Sequence, residues 1–385
     1  MPSPSSAQPP FRTTGVVTGA YFTDRAAEVA RIARTLHYAG GKLTVFGRRR
    51  MGKTSALVRA VHSAARRGTK AAYCDLSTAS TVTDVANAVL AAATPAIHRR
   101  WKDIAVDLAR RIQVEASVSI EPGTGLAIPK LSVSLRSAEP ETQWDALTRV
   151  LHALDRWGAD HDTHVALALD EFQRLARFGG SDALWRLRGI IQHHAHSAYV
   201  LAGSDRTMVE QAIGPDGALF KLTEPLEFGP MDARHLARWI DSRLSSHGVS
   251  ADGVGEACVT LAGPRTLDVM LVAEACWEGC RGAGRAVAED AARAVDEVAG
   301  RERAMFERLW NELTALQQNV LRAVAAGADQ ITSAANMARW GLGNSSQTTQ
   351  TLSALEAREL VVRNEERWSM DSPFFGQWVR TRAGI

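Results

Sequence analysis

The sequence contains few cysteines and few aromatic residues, and it has no long apolar run. Its 385 residues include four cysteines, and 6% of them are aromatic. So few cysteines in a chain of this length exclude a disulfide-built secreted domain. No stretch approaches the roughly 20 apolar residues of a membrane-spanning helix, and residues 1–10 lack the basic start and apolar core of a signal peptide. The sequence therefore predicts a cytoplasmic protein with no membrane partner.

An excess of charge of one sign is also missing. Forty-five Lys and Arg residues face 42 Asp and Glu, a formal net charge of +3, which excludes a highly basic nucleic-acid packaging protein. A zinc site is not expected either, because Cys276 and Cys280 have no second pair and His193, His194 and His196 have no further ligand nearby. The length predicts two or three domains at about 100–200 residues each.

The order of apolar patterns divides the chain into four parts. Residues 1–14 are rich in Pro and Ser and are predicted to be a flexible leader. Residues 15–229 alternate strand and helix signals, which predicts an α/β core with five parallel strands. Within the core, period-2 alternation over about 111–136 predicts an inserted β-hairpin. Residues 230–312 lose the strand signals and predict an all-α lid, and residues 313–385 predict a winged helix-turn-helix.

One motif dominates the chemistry. A short apolar strand is followed by the residues of a phosphate-binding loop and then by a helix, in the pattern G-x-x-x-x-G-K-[ST]. Glycines let backbone N–H groups surround phosphates, Lys53 would reach the β- and γ-phosphates, and Thr54 would bind Mg²⁺. The motif consists of Gly47, Arg48, Arg49, Arg50, Met51, Gly52, Lys53 and Thr54.

A second motif favours hydrolysis over transfer to another substrate. An apolar strand ends in Asp170 and Glu171, so both carboxylates emerge at the carboxyl edge of the predicted sheet. Asp170 would hold Mg²⁺, and Glu171 would act as general base on a water. Ser204 or Asp205, at the end of another strand, would face the γ-phosphate, although a simple turn remains an alternative. Arg265 would hydrogen-bond to the nucleotide phosphates and so sense their state, although a surface arginine remains an alternative.

Together these residues resemble the archaeal-type ATPase family, in the STAND/AAA+ branch of P-loop ATPases and related to the origin-recognition ATPases. The resemblance extends over about residues 21–380. It rests on Phe22, Arg25 and Glu28, on the P-loop through Ser55, on Leu169-Asp-Glu-Phe-Gln173, on Ala202-Gly-Ser204 and on Asp371-Ser-Pro-Phe-Phe-Gly-Gln-Trp378.

The resemblance implies an ATP-driven switch that uses Mg²⁺, with nucleotide between core and lid and with assembly into homo-oligomers or with protein partners. It implies nucleotide contacts from Arg25 and from the loop through Ser55, a first-sensor role for Ser204 and a lid-sensor role for Arg265. Family members carry an arginine where this chain has Lys221. Lysine lacks the bidentate fork of arginine, which puts a trans-acting finger at this site in doubt.

The sequence leaves the partner of the winged helix open. Its recognition helix, predicted over 345–359, carries Gln347, Thr348, Gln350 and Thr351 on its early turns, residue types that read base edges of double-stranded DNA. Residues 301–385 nevertheless contain ten arginines, no lysine and nine acids, which is a weak charge for a DNA-binding module. Two hypotheses remain: an ATP-hydrolysing switch that engages DNA or a partner, and a nucleotide-stabilised adaptor with little hydrolysis and no DNA binding.

Overall fold

The computed structural model describes residues 8–97, 115–120, 127–132, 140–180, 182–364 and 367–385. The chain divides into two compact units. Residues Arg25–Gly229 form one, called here the sheet unit. Pro230–Ile385, together with the segment that ends at Asp24, form the other, called the helical unit. Across the described residues, none of the helices has both the length and the hydropathy to cross a membrane.

The sheet unit is built on five parallel strands. The order across the sheet is β2-β5-β6-β1-β7, so β6 lies between β1 and β5. Every residue of β5 and β6 is buried, as expected for central strands of a parallel sheet with helices on both faces. The strands are β1 (Lys42–Phe46), β2 (Lys70–Asp75), β5 (Val165–Asp170), β6 (Ser197–Gly203) and β7 (Glu224–Glu227).

Seven α-helices of this unit lie in the described residues. Their apolar residues recur at helical spacing and pack on the sheet; α2, for example, buries Ala56, Leu57, Ala60 and Val61. The helices are α1 (Ala26–His37), α2 (Lys53–Arg66), α3 (Val82–Ile97), α4 (Pro140–Asp160), α5 (Arg174–Phe178), α6 (Ala183–Ile191) and α7 (Arg206–Ile213).

The inserted hairpin is present. β3 (Glu115–Ile120) and β4 (Ala127–Ser132) pair in antiparallel fashion, with Ala116 opposite Leu131. Both strands fall within the predicted range 111–136, and the rest of that range lies outside the described residues.

The helical unit contains two 3-residue strands that the sequence does not predict. β8 (Ser250–Asp252) and β9 (Arg285–Val287) pair in parallel, so the prediction of an all-α segment is wrong in this detail. Runs of three residues are too short to produce a period-2 signal. The helices of this part are α8 (Ala233–Ser246), α9 (Val254–Ala262), α10 (Thr266–Cys280), α11 (Ala288–Arg301) and α12 (Arg303–Asn311).

Three helices and a hairpin follow in the order of a winged helix. Their core is continuous with that of the preceding helices, because Leu244, Val298, Leu355 and Val379 belong to one cluster of buried apolar side chains. The elements are α13 (Ala315–Ala325), α14 (Ala334–Trp340), α15 (Ser345–Ala357), β10 (Val361–Asn364), β11 (Arg367–Met370) and α16 (Pro373–Ala383).

The predicted flexible leader is wrong for residues 8–14. Phe11 is completely buried in the core of the helical unit, with its ring centroid 5.7 Å from that of Trp239. Arg243 also donates two hydrogen bonds to the Pro10 carbonyl, of 2.9 and 2.6 Å. A single buried aromatic anchors the segment, and a composition rich in Pro and Ser cannot reveal one anchor.

Candidate functional site

The loop after β1 has the backbone conformation of a phosphate cradle. Gly47 and Gly52 have positive φ values, 155° and 87°, which glycine adopts without steric cost. A Cβ at Gly47 would lie 2.4 Å from the Phe228 carbonyl oxygen, so no larger residue fits there. Arg50 is also left-handed, with φ of 66°. The loop therefore turns its backbone toward the start of α2, where helix N–H groups and the helix dipole favour anions.

The two residues that open α2 point in different directions. Lys53 is buried, and its Nζ donates to the carbonyl oxygens of Gly47 and Arg48, both at 2.7 Å. Its charge is thus held inside the curve of the loop. Thr54 instead donates from Oγ1 to Oδ2 of Asp170 at 2.7 Å. Ser55, the next residue, is buried on α2.

Asp170 ends β5 and is almost completely buried. Besides Thr54, the hydroxyl of Tyr73 on β2 donates to its Oδ2 at 3.0 Å. Burial raises the pKa of the Asp170 carboxyl above its usual value, and the bonds from Thr54 and Tyr73 oppose that rise. A hydroxyl and a carboxylate at 2.7 Å are oxygen donors of the kind that Mg²⁺ prefers. Thr54 and Asp170 therefore have the chemistry of a magnesium site.

Glu171 leaves the strand in the left-handed region, with φ of 57°. Its Oε2 accepts hydrogen bonds from Ser204 Oγ at 2.9 Å and from Gln173 Nε2 at 2.5 Å. Ser204 follows β6, and Arg49 of the P-loop donates to its Oγ at 3.4 Å. The strand order explains this meeting, because β6 lies between β1 and β5 and all three end at the same edge.

Arg25 lies beneath the P-loop and contacts protein groups. It is buried, and it donates to Glu28 Oε1 at 2.9 Å, to the Gly229 carbonyl at 2.6 Å and to the Met51 carbonyl at 3.5 Å. Its guanidinium also lies 4.3 Å from the centroid of the Phe228 ring. Arg25 thus supports the P-loop through the Met51 carbonyl, whereas the resemblance implies a nucleotide contact.

Arg265 is buried within the helical unit. Its guanidinium forms an ion pair with Asp371 and lies 4.0 Å from Asp268. It stands at the N-cap of α10, directly after a cis peptide bond between Gly263 and Pro264. The alternative of a solvated surface arginine is therefore wrong. The sensor role stays a prediction, because the guanidinium here serves two carboxylates of its own unit.

Lys221, at the position where the resemblance implies an arginine, is exposed and left-handed, with φ of 56°. Its Nζ lies 5.3 Å from the centroid of the Phe220 ring. The turn around it is held by Arg188 of α6, which donates to the carbonyls of Ala218 and Phe220 at 2.7 and 3.0 Å.

α15, the predicted recognition helix, has fewer side chains available to contact DNA bases than its sequence suggests. Thr348 is completely buried, and its Oγ1 donates to the carbonyls of Leu342 and Asn344. Gln347 forms a capping box with Asn344 at the helix start. Thr348 is therefore a structural residue, and Gln350 and Thr351 remain as candidates for contacts. Leu352 and Leu355 of the same helix are buried.

Thus the sheet unit places Lys53, Thr54, Asp170, Glu171 and Ser204 at one edge of the sheet, and their roles toward nucleotide stay predictions. Two residues that contact this cluster, Tyr73 and Gln173, have no role predicted from the sequence. Tyr73 lies on β2, the strand after α2, and its contact with Asp170 depends on the pairing of β2 with β5, which the sequence does not specify. Gln173 is part of the motif after Glu171, but its contact depends on the turn at φ of 57°, which no local pattern specifies.

Comparison with known proteins bears on the fold. Residues 304–381 match the family described as a probable winged helix domain. The solved structure of the Walker-type ATPase PABY2304 of Pyrococcus abyssi has a TM-score of 0.62 and 15% identity, covering 94% of this chain and 96% of that chain. The ORC1 protein of Aeropyrum pernix, solved in complex with DNA, has a TM-score of 0.49 and 18% identity, covering 94% and 93%. No curated protein matches the sequence.

These findings define the class of protein at the level of the fold. The chain has the fold of the Walker-type P-loop ATPases, with an inserted hairpin and a C-terminal winged helix. The predicted fold class is confirmed, and so is the resemblance at that level. The Pyrococcus abyssi ATPase shares this fold over nearly its whole length.

Proposed function

We propose that the protein binds ATP with Mg²⁺ and hydrolyses it, and that the nucleotide state controls engagement of DNA or a protein partner. The observation that carries the proposal is the meeting of three strand ends in the sheet unit. Thr54 contacts Asp170 at 2.7 Å, and Glu171 contacts Ser204 at 2.9 Å. A P-loop together with a metal-binding carboxylate and a second carboxylate is the constellation that hydrolysis by water needs.

Each side chain has a distinct task in this proposal. The loop N–H groups and Lys53 bind the phosphates, and Thr54 and Asp170 hold Mg²⁺, which would neutralise phosphate charge as it develops. Glu171 accepts the proton of the attacking water as general base. Ser204 donates a hydrogen bond that orients Glu171. Arg49, at 3.4 Å from Ser204, brings a positive charge to the same edge.

Steady-state ATP turnover tests this proposal. Glu171→Gln should lower kcat about 100-fold, since general-base catalysis typically contributes that much or more, while ADP binding persists. Lys53→Ala should abolish nucleotide binding. Glu210→Gln is the matched control, because Glu210 is exposed and its carboxylate pairs with Arg206 of the same helix. Unchanged turnover in Glu171→Gln would remove Glu171 as the base.

The winged helix supports two candidate partners. α15 carries no arginine or lysine, and its one charged side chain is the exposed Glu356. Two arginines near it are paired with acids: Arg358 faces Glu312 at 3.5 Å, and Arg367 pairs with Asp329 at 2.9 Å. Neutralised arginines weaken the counterion-release term of DNA binding. This observation favours, as the second candidate function, a nucleotide-stabilised adaptor that docks a protein.

Electrophoretic mobility shifts of duplex DNA at several salt concentrations separate the two candidates. A DNA-engaging switch should bind DNA at low salt in a nucleotide-dependent way. Negligible ATP turnover together with no shift at low salt would favour the adaptor. Mass measurement of the apo, ADP and non-hydrolysable ATP states reports assembly into homo-oligomers in the same samples.

A further inference from the structure

Gln173, to which the proposed function gives no role, directly contacts Glu171, the proposed base. Gln173 lies two residues after Glu171 and is 2% exposed. Its Nε2 donates to Oε2 of Glu171 at 2.5 Å and to Oγ of Ser204 at 3.2 Å. The amide thus spans the end of β5 and the end of β6, and one carboxylate oxygen receives two donors. Donors on one oxygen restrict the rotation of a carboxylate and leave Oε1 of Glu171 for other partners.

The other end of the amide makes no comparable contact. Among the atoms that the structure describes, Oε1 of Gln173 is buried without a hydrogen-bond partner. A buried acceptor without a donor costs stability, and most such groups in native proteins are satisfied. Turning the amide over would satisfy nothing, because Oε1 would then oppose the carboxylate oxygen of Glu171. The cost is therefore tied to the contact with Glu171.

The packing around the Gln173 side chain is tight. A Cβ added at Gly203, the last residue of β6, would lie 2.9 Å from Oε1 of Gln173 and 2.7 Å from the Val209 side chain. Phe172, between Glu171 and Gln173, is buried, and its N–H donates to the Ala202 carbonyl at 3.0 Å. That bond fixes the turn after β5 to β6. The backbone and the packing thus both direct Gln173 toward the base.

We propose that Gln173 is a positioning residue that holds the Glu171 carboxylate, together with Ser204, in the orientation needed for proton abstraction from water. The proposal rests on the proposed function, in which Glu171 is the base. Gln173 acts through Glu171 and has no assigned contact with nucleotide. Its loss should therefore lower kcat and leave nucleotide affinity unchanged.

The experiment compares ATP turnover of the full chain with Gln173→Met and Gln173→Glu. Gln173→Met removes the donor at similar length, and kcat should fall about tenfold, the size of one hydrogen bond to a charged group. Gln173→Glu replaces the donor by a carboxylate that repels Glu171, and kcat should fall further, about 100-fold. The KM for ATP should change less than about twofold in both variants, as expected when only a transition-state interaction is lost. Gln192→Met and Gln192→Glu are matched controls at an exposed position.

A merely structural role is separated by a double-mutant cycle. In a Glu171→Gln background, Gln173→Met should leave the residual turnover unchanged, because there is no base left to position. Additive losses, a raised KM or equal kcat in wild type and Gln173→Met would overturn the proposal. Absence of turnover in the wild-type protein would instead refute the proposed function, and this inference with it.

Discussion

Arg265 and Asp371 form a buried ion pair across 106 residues of chain. Arg265 opens α10, and Asp371 immediately precedes the N-cap Ser372 of α16. The pair therefore joins the helices that follow Pro230 to the last helix of the winged helix. Asp268, which is completely buried, lies 4.0 Å from the same guanidinium. One arginine thus compensates two carboxylates in a low-dielectric setting.

Replacing Arg265 by Met should destabilise the helical unit by about 3–5 kcal/mol, because it leaves buried carboxylates without their cation. Urea unfolding measures this change. Arg293→Met is the control, since Arg293 is 71% exposed beside Asp290 and a surface pair is worth about 1 kcal/mol or less. If Arg265→Met unfolds like wild type and loses only ATP turnover, the sensor role is favoured and the structural role is wrong.

Phe11→Ala should lower the free energy of unfolding by about 3–5 kcal/mol, the usual cost of removing a buried Phe ring. The ring is completely buried beside Trp239. Thermal and urea unfolding check the effect, and Tyr38→Ala serves as control because Tyr38 is 61% exposed. A loss no larger than that of the control would mean that residues 8–14 contribute nothing to the fold.

The parts of the site that the sequence predicts are those carried by contiguous residues. The P-loop and the pair Asp170-Glu171 are linear motifs at the end of apolar strands, and parallel topology brings such ends to one edge. Tyr73, Gln173 and Arg25 could not be assigned in this way. Their contacts depend on strand register and on left-handed turns at single residues, which are set by tertiary packing.

The helical unit shows the same limit. The spacing of apolar residues predicts that most of this part of the chain is helical, because amphipathic periodicity is a local property. The pair β8 and β9, the burial of Phe11 and the partner of Arg265 are long-range contacts. None of these contacts leaves a periodic signal. Thr348 is the opposite case: its polar side chain is expected on the surface, but it is buried and donates a hydrogen bond to the Leu342 carbonyl before the helix.

Gly47→Ala should lower the free energy of unfolding by more than the strain of a positive φ alone would. Gly47 and Gly68 both have positive φ, but an added Cβ meets the Phe228 carbonyl at 2.4 Å only at Gly47 and finds open space at Gly68. Gly68→Ala should therefore cost about 1 kcal/mol from the backbone strain. Gly47→Ala should cost more and should also weaken binding of ADP. Equal stability losses, with ADP affinity intact, would contradict the steric argument.

The stability of the sheet unit should depend on pH through His194. It is buried in the loop before β6, where its Nδ1 contacts the Tyr199 hydroxyl at 2.7 Å and its Nε2 contacts His152 Nδ1 at 2.8 Å. Burial is the main cause that lowers the pKa of His194 from 6.5 to about 4, and the neighbouring His152 and Lys42 lower it further against the opposing effect of Asp155. The folded state therefore keeps a neutral imidazole over a range in which the unfolded chain takes up a proton.

The sign of the effect follows from this difference in proton binding. The contribution of His194 is fully present above about pH 6.5 and is lost progressively as the pH falls toward 4. His194→Gln removes the titrating group, so the melting temperature of that variant should fall less steeply over this range than that of wild type. His62→Gln, at an exposed position, should leave the wild-type slope unchanged. Equal slopes for wild type and His194→Gln would show that His194 is charged in the folded protein as readily as in the unfolded chain.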